Sequence, residues 1–216
     1  MKVVSVTLAR GGSKGIPRKN LISIQGRPLI AFTIANARGA AVDEIWVSTN
    51  DDEIEKVCDR FGARVLRRPD EISEDTSKCE DALIHFANEV DFDILVFIQN
   101  TSPLVTPADI DKGIELVKSG QYDSVFSAYR EHWTGRWSLD MTPLNWDPTS
   151  RPRRQTMPET LVENGAFYVT TRETLLKTKL RYGGKVGVVE MPYSRSFQID
   201  TEDEVELIKR LVGRWK

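Results

Sequence analysis

The sequence predicts an α/β fold, a mainly parallel sheet covered by helices. Three observations carry that expectation. Short β-rich runs alternate with stretches of helical period. The β-rich runs are nearly continuous apolar segments, as strands buried on both faces should be. Well-marked helix starts sit just after strand-like segments, leaving loops where α/β sheets place ligands.

The elements follow in order. "KVVSVTL" at 2–8 opens the sheet, and a helix is expected from about Pro28 to Arg38. "EIWVST" at 44–49 is the next strand. The helix after it, Asp51 to Phe61, carries Ile54, Val57, Cys58 and Phe61 at i, i+3, i+4, i+7. "ARVL" at 63–66 precedes a helix from about Ser77 to Glu89, with Cys79, Ala82, Leu83 and Phe86 at the same spacing. Both cysteines therefore read as small apolar residues on buried helix faces, since no partner lies at metal-ligand spacing. "DILVFIQ" at 93–99 and "DSVFSA" at 123–128 are further strands. Between them "TPAD" at 106–109 offers Thr106 as N-cap, Pro107 at the first helical position and an acidic residue at the third. "TEDE" at 201–204 has the form of a capping box, and Val205, Ile208, Leu211 and Val212 supply the apolar stripe behind it.

The rhythm breaks at 130–163. That stretch holds three of the five tryptophans, four prolines and a cluster of arginines, with no helical period. It reads as a structureless insertion within a single domain spanning 1–216, forming a dimerisation arm. Composition is that of an ordinary globular protein, 40% hydrophobic and 29% charged. A net charge of −2 argues against a general nucleic-acid binder, which needs a broad cationic surface. Apolar runs fall far short of the roughly 20 residues a membrane span needs. Arg10 arrives too soon for a leader's apolar region, so the expected compartment is the cytoplasm.

The cations that matter are local. "LARGGSKGIPRKN" at 8–20 follows the first strand with three glycines and four cations. It is neither a Walker P-loop nor a Gly-x-Gly-x-x-Gly dinucleotide fingerprint. Its physics is nevertheless that of a polyphosphate cradle. Gly11, Gly12 and Gly15 let the backbone approach a ligand with its N–H groups turned inward. Arg10, Lys14, Arg18 and Lys19 supply charge, and Pro17 restricts the loop. The alternative is a solvated basic loop. Asp200, between an apolar residue and the N-cap Thr201, can project at the sheet's ligand edge as a magnesium ligand, or can simply favour the last helix's N-terminus.

Further segments follow in a fixed order: "STNDDEI" at 48–54, "RRPDEISEDT" at 67–76, "FIQNTSPL" at 97–104, "RPRRQ" at 151–155, "ENGAFYV" at 163–169 and "QIDTEDE" at 198–204. With the opening loop they resemble the motifs of the acylneuraminate cytidylyltransferases, the CMP-sialic acid synthetases, across essentially the whole chain. The resemblance implies a Rossmann-like nucleotide-diphospho-sugar transferase fold with a dimerisation insertion. It implies transfer of CMP from CTP to a nine-carbon sugar acid, with Mg²⁺ and in a homodimer. It further implies a nucleotide site of Ala9, Arg10, Gly11, Gly12, Ser13, Lys14, Lys19 and Asn20, with Arg67 and Ser77 toward the base. Gln99, Arg153, Arg154, Gln155, Asn164 and Tyr168 are placed against the sugar, Tyr168 alternatively being an ordinary inward strand residue. Arg10, Lys19 and Asp200 are the expected catalytic groups, Asp200 also holding the metal.

Three positions depart from the family's commoner pattern. Gln198 stands where Asp is frequent, which puts a second metal ion in doubt. Asn100 and Val105 replace Pro and Arg and are expected to alter the mouth of the pocket. Competing readings are a cytidylyltransferase for an eight-carbon keto acid, a nucleotide-binding homologue without catalysis, and a sheet protein whose tryptophan-rich arm binds other proteins.

Overall fold

The computed structural model describes residues 1–212. Its strands are β1 (Val3–Leu8), the short pair β2 (Ser23–Ile24) and β3 (Arg27–Pro28), β4 (Glu44–Thr49), β5 (Arg64–Arg67), β6 (Ile94–Ile98), β7 (Ser124–Glu131), β8 (Thr160–Thr171) and β9 (Val186–Glu190). The helices are α1 (Leu29–Gly39), α2 (Asp52–Arg60), α3 (Cys79–Glu89), α4 (Pro107–Lys118), α5 (Arg172–Thr178) and α6 (Glu202–Val212). Seven strands form one sheet in the order β5-β4-β1-β6-β8-β7-β9. Every pairing in it is parallel except the two made by β8, which runs antiparallel to β6 and β7.

Two apolar layers sandwich the sheet. Ala37 of α1 and Ile110, Ile114 and Val117 of α4 pack with Val96, Phe167 and Val189 on one face. Leu83 and Phe86 of α3 and Leu175 of α5 pack with Val6, Phe97 and Tyr168 on the other. Cys58 lies in a third cluster with Ile30, Ile34 and Ile54, where burial chiefly, with nearby Asp59 and Glu55, pushes its thiol up to about 12. That buried, inert setting agrees with the sequence reading. Cys79 does not agree: it is exposed, because α3 begins there and its buried face starts one turn later at Ala82.

A fourth cluster positions the site. Ile16 from the glycine loop, Ile24, Leu29, Leu104, Ile199, Val205 and Ile208 pack together. Apolar anchors thus tie the loop after β1, the segment after β6 and the start of α6 to one another. Of the helix starts, Thr106 donates both its N–H (3.0 Å) and its hydroxyl (2.6 Å) to Asp109. Thr201 and Glu204 form the expected box, the Thr201 N–H reaching the Glu204 carboxylate at 2.8 Å.

The segment 130–163 is irregular over 132–159, as expected, but its two ends lie inside strands. β7 and β8 continue as a ladder through Arg130↔Leu161 to Glu131↔Thr160. Beyond it Trp137 and Trp133 each meet Trp146 edge-on at 5.2 and 6.4 Å, and Arg151 lies 5.0 Å over the Trp146 ring. A short ribbon leading to an aromatic knot is hard to read locally, because alternation in a two-stranded ribbon differs from the buried pattern of the other strands.

Candidate active site

The carboxyl ends of β1, β4 and β6 deliver three loops to one edge of the sheet. The loop after β1 is held open by its neighbours. The Gly11 N–H donates to Asn50 Oδ1 at 3.1 Å, and Asn20 donates to the Arg10 carbonyl at 2.9 Å. Among the described residues the N–H groups of Gly12, Ser13, Lys14 and Gly15 have no internal acceptor. Four successive N–H groups left open in this way are donors available to an anion. The glycines have distinct reasons: a Cβ at Gly11 would lie 2.6 Å from Asp51 Oδ2, and one at Gly15 2.9 Å from the Asp200 carbonyl. Gly12 faces open space. Arg18, not a glycine, takes the left-handed backbone that turns the chain into Lys19–Leu21.

The same loop meets the start of α6. Lys19 Nζ lies 2.8 Å from Asp200 Oδ1, with the lysine side chain 19% and the aspartate 59% exposed. The glycine–cation loop and the candidate metal carboxylate therefore share one cleft. Arg10 and Lys14 reach across to Asp75 in the loop between β5 and α3 at 2.6 and 2.8 Å. Lys14 first, and Arg10 with it, hold that carboxyl below the usual range against a smaller opposing effect of burial.

Several expected contacts belong to the frame of the cleft. Ala9 is fully buried and its N–H is taken by the Ser48 carbonyl. Asn20 bridges Arg10 to Asn100, whose Nδ2 donates to Asn20 Oδ1 at 2.8 Å while its Oδ1 accepts from Thr33 at 2.9 Å. Asn100 is thus a buried strut and Val105 a core residue, so neither shapes the mouth of a pocket as expected. Ser77 folds its own loop, donating to the carbonyls of Glu74 and Glu71.

Arg67, expected to face the base, turns outward to Asp52 at 2.5 Å and Glu55 at 3.4 Å. Its neighbour Arg68 turns inward. It is 5% exposed, and among the described residues its Nε and Nη2 have no partner. Burial, and to a lesser degree the positive charge of Arg10, lower its pKa. A buried guanidinium without a partner beside a cation cluster is a candidate ligand group. Sequence reasoning missed it because two adjacent arginines at a strand end give no sign of which one faces in.

On the other side of the cleft Gln99 directly follows β6, half-buried, its side-chain amide unpaired among the described residues. A Cβ at Gly165, which has φ +64, would lie 3.3 Å from Gln99 Nε2 and 2.6 Å from Gln198 Nε2, so glycine brings β8 against both amides. Gln198 donates to the Asn164 carbonyl and accepts from Thr101 at 3.4 Å. Asn164 is itself consumed internally: it accepts from Ser127 at 2.6 Å and donates to Ser196 at 2.9 Å. Tyr168 sits in the core, stacked 5.7 Å from Phe97, its hydroxyl donating to Glu163 at 2.5 Å. Burial first, and the Glu163 carboxylate next, push its pKa up. This geometry matches the inward strand residue rather than a sugar contact. Arg153, Arg154 and Gln155 stand exposed on the arm, and neither arginine has an ion-pair partner among the described residues.

Asp200 can serve a divalent cation in one way only. Among the described residues no group of three His, Cys, Asp or Glu converges. Mg²⁺ bound through one carboxylate, with phosphate oxygens and water completing its shell, fits this donor set. A cavity of about 590 Å³ lined by Met1, Asp93, Thr171 and Lys177 opens at the opposite end of the sheet, away from every residue above.

A family model described as cytidylyltransferase matches residues 4–213. An N-acylneuraminate cytidylyltransferase of Oncorhynchus mykiss is 38% identical over 222 residues, covering 99% of this chain and 51% of that protein. N-acylneuraminate cytidylyltransferase A of Danio rerio is 37% identical, with the same coverage of 99% and 51%. The chain thus spans about half the length of these curated relatives. A solved CMP:2-keto-3-deoxy-manno-octonic acid synthetase, complexed with CTP, superposes over 100% of both chains with a TM-score of 0.77 at 20% identity, which shows a shared fold.

Proposed function

The chain belongs to the cytidylyltransferase family, and from that premise we propose that it joins CTP to a nonulosonic acid of the sialic type. The products are the CMP-sugar and pyrophosphate. The observation that carries the reading is the open glycine–cation loop held against Asp200 by Lys19. The names of its relatives at 36–38% identity support the choice of substrate class.

In the proposed reaction the sugar's anomeric hydroxyl attacks the α-phosphorus, the bond to the bridging oxygen breaks, and pyrophosphate leaves in line. Catalysis of this kind is mostly positioning and charge stabilisation. The N–H groups of Gly12 to Gly15 and the charges of Arg10, Lys14 and Lys19 surround the phosphate chain. Charge grows on the departing pyrophosphate, so these groups stabilise the transition state more than the bound substrate. Asp200 would hold Mg²⁺, which would supply further neutralisation of that charge. Gln198, tied to Asn164 and Thr101, gives no second carboxylate. Arg68 meets the nucleotide in place of Arg67, and Gln99 offers its amide to the sugar. The arm supplies the homodimer contact, and its Arg153, Arg154 and Gln155 are free to meet the sugar's carboxylate. No helix among the described residues is long and apolar enough to cross a membrane, and we place the reaction in the cytoplasm.

The test is pyrophosphate release with CTP and Mg²⁺ across a panel of nine-carbon sugar acids and an eight-carbon keto acid. Turnover with nine-carbon acids is expected. Release only with the eight-carbon acid, or with none, would refute the reading.

A further inference from the structure

Every cation of the glycine loop is matched by a carboxylate, but the carboxylates are not alike. Arg18 pairs with Asp51 and Glu53. Asp51 is committed to α2, whose N-terminus it caps by accepting the N–H groups of Glu53 and Ile54 at 2.9 and 3.0 Å. Lys19 pairs with Asp200, whose backbone is fixed by the packing of Ile199 and the box at Thr201. Asp75 has no such duty. Its Oδ1 meets Arg10 at 2.6 Å and its Oδ2 meets Lys14 at 2.8 Å, and among the described residues it engages nothing else.

One carboxylate spanning two cations in this manner has the charge and the bidentate form of a phosphate group. The loop that carries it is folded to present it. Ser73 donates its hydroxyl to the Pro69 carbonyl at 2.8 Å, Ser77 donates to Glu71 and Glu74, and Asn50 holds Asp70 at 3.0 Å. These bonds shape the segment on either side of Asp75 without using its side chain. Arg68, whose guanidinium lacks a partner, lies at the base of the same loop and feels the charge of Arg10.

We infer that Asp75 is a specificity-determining residue that holds the place of a phosphate on Arg10 and Lys14, and that a triphosphate enters by displacing it. The inference rests on the proposed nucleotide site and sharpens it. The affinity of any anion here is its own attraction less that of Asp75. A triphosphate chain reaches the open N–H groups and Lys19 as well, and so outcompetes the carboxylate. A single phosphate or sulfate reaches fewer donors and is turned away. The opposite role, in which Asp75 merely positions Arg10 and Lys14, predicts the opposite sign on removal.

The experiment is calorimetric titration of wild type, Asp75→Asn and Asp75→Ser with inorganic tripolyphosphate and, separately, with CTP. Both variants are expected to bind both ligands about 3- to 10-fold more tightly, with the gain shrinking as salt is raised. Thermal melts check that the fold is kept. Unchanged, weaker or absent tripolyphosphate binding in folded variants overturns the inference. If the gain appears with tripolyphosphate while CTP binds no better than tripolyphosphate in any form, the nucleotide reading fails and the role of Asp75 stands. If wild type prefers CTP but the variants show no gain, the reading stands and Asp75 does not hold a phosphate's place.

Discussion

Replacing Arg195 by methionine probes the joint that holds the two sides of the cleft together. Arg195 follows β9 in a short turn, and its guanidinium grips Asp109 of α4, one nitrogen at 3.0 Å and the other closer. The arginine side chain is 13% exposed and the aspartate 4%. The pair pins the segment leading to Gln198 and Asp200 onto the segment following Gln99, where the Ile199 N–H also reaches the Thr101 carbonyl at 2.9 Å. Burial by itself would push the Asp109 carboxyl up. Bonds from Arg195 and Thr106 outweigh it and bring the net shift down. Arg195→Met leaves a buried carboxylate without its cation, a change that costs about 3–5 kcal/mol. The two bonds from Thr106 remain, so the lower end, about 3 kcal/mol, is expected. In a chain of this size that corresponds to a melting temperature lower by about 6–12 °C. The pH dependence has a definite sign. In the wild type the folded carboxyl titrates below its unfolded value, so its contribution is complete above about pH 4 and fades as acid protonates it. In the variant the carboxyl is raised instead, so the deficit is largest near pH 7 and narrows on acidification toward pH 4 as Asp109 takes up a proton. Urea unfolding of both proteins at several pH values measures this. A deficit under about 1 kcal/mol at neutral pH, or one that does not change with pH, contradicts the argument.

Asp200→Asn should leave unfolding stability within about 1 kcal/mol, because the Asp200 carboxylate is 59% exposed, yet lower pyrophosphate release about 10²- to 10³-fold; turnover within a few-fold of wild type would remove Asp200 from the reaction. Arg68→Met removes a buried charge that has no partner, so thermal stability should hold or rise while CTP affinity falls by at least about tenfold. Equal losses of both, seen by melting and calorimetry, would make Arg68 a structural residue. Joining Glu131 to Thr160 through a two-residue turn, which the antiparallel ladder allows, should give a folded monomer by sedimentation. A persisting dimer would put the association surface elsewhere.

Much of the fold is legible in the chain because it is written locally. The apolar runs at 3–8, 44–49 and 94–98, the caps at Thr106 and Thr201, and the glycine–cation loop each depend on neighbours a few residues away. The sequence by itself therefore determined an α/β domain with a glycine- and cation-rich loop after its first strand. Only the tertiary structure decided that β8 runs antiparallel and that Arg68, not Arg67, faces inward. It alone set Asn164 and Tyr168 into the frame and seated Asp75 on the cradle cations. Lys19 and Asp200 stand 181 positions apart, and Arg195 and Asp109 stand 86 apart. Such pairs are formed by crossovers that return distant segments to one sheet edge. Local period and composition record which faces are buried, but not which charges those crossovers bring together.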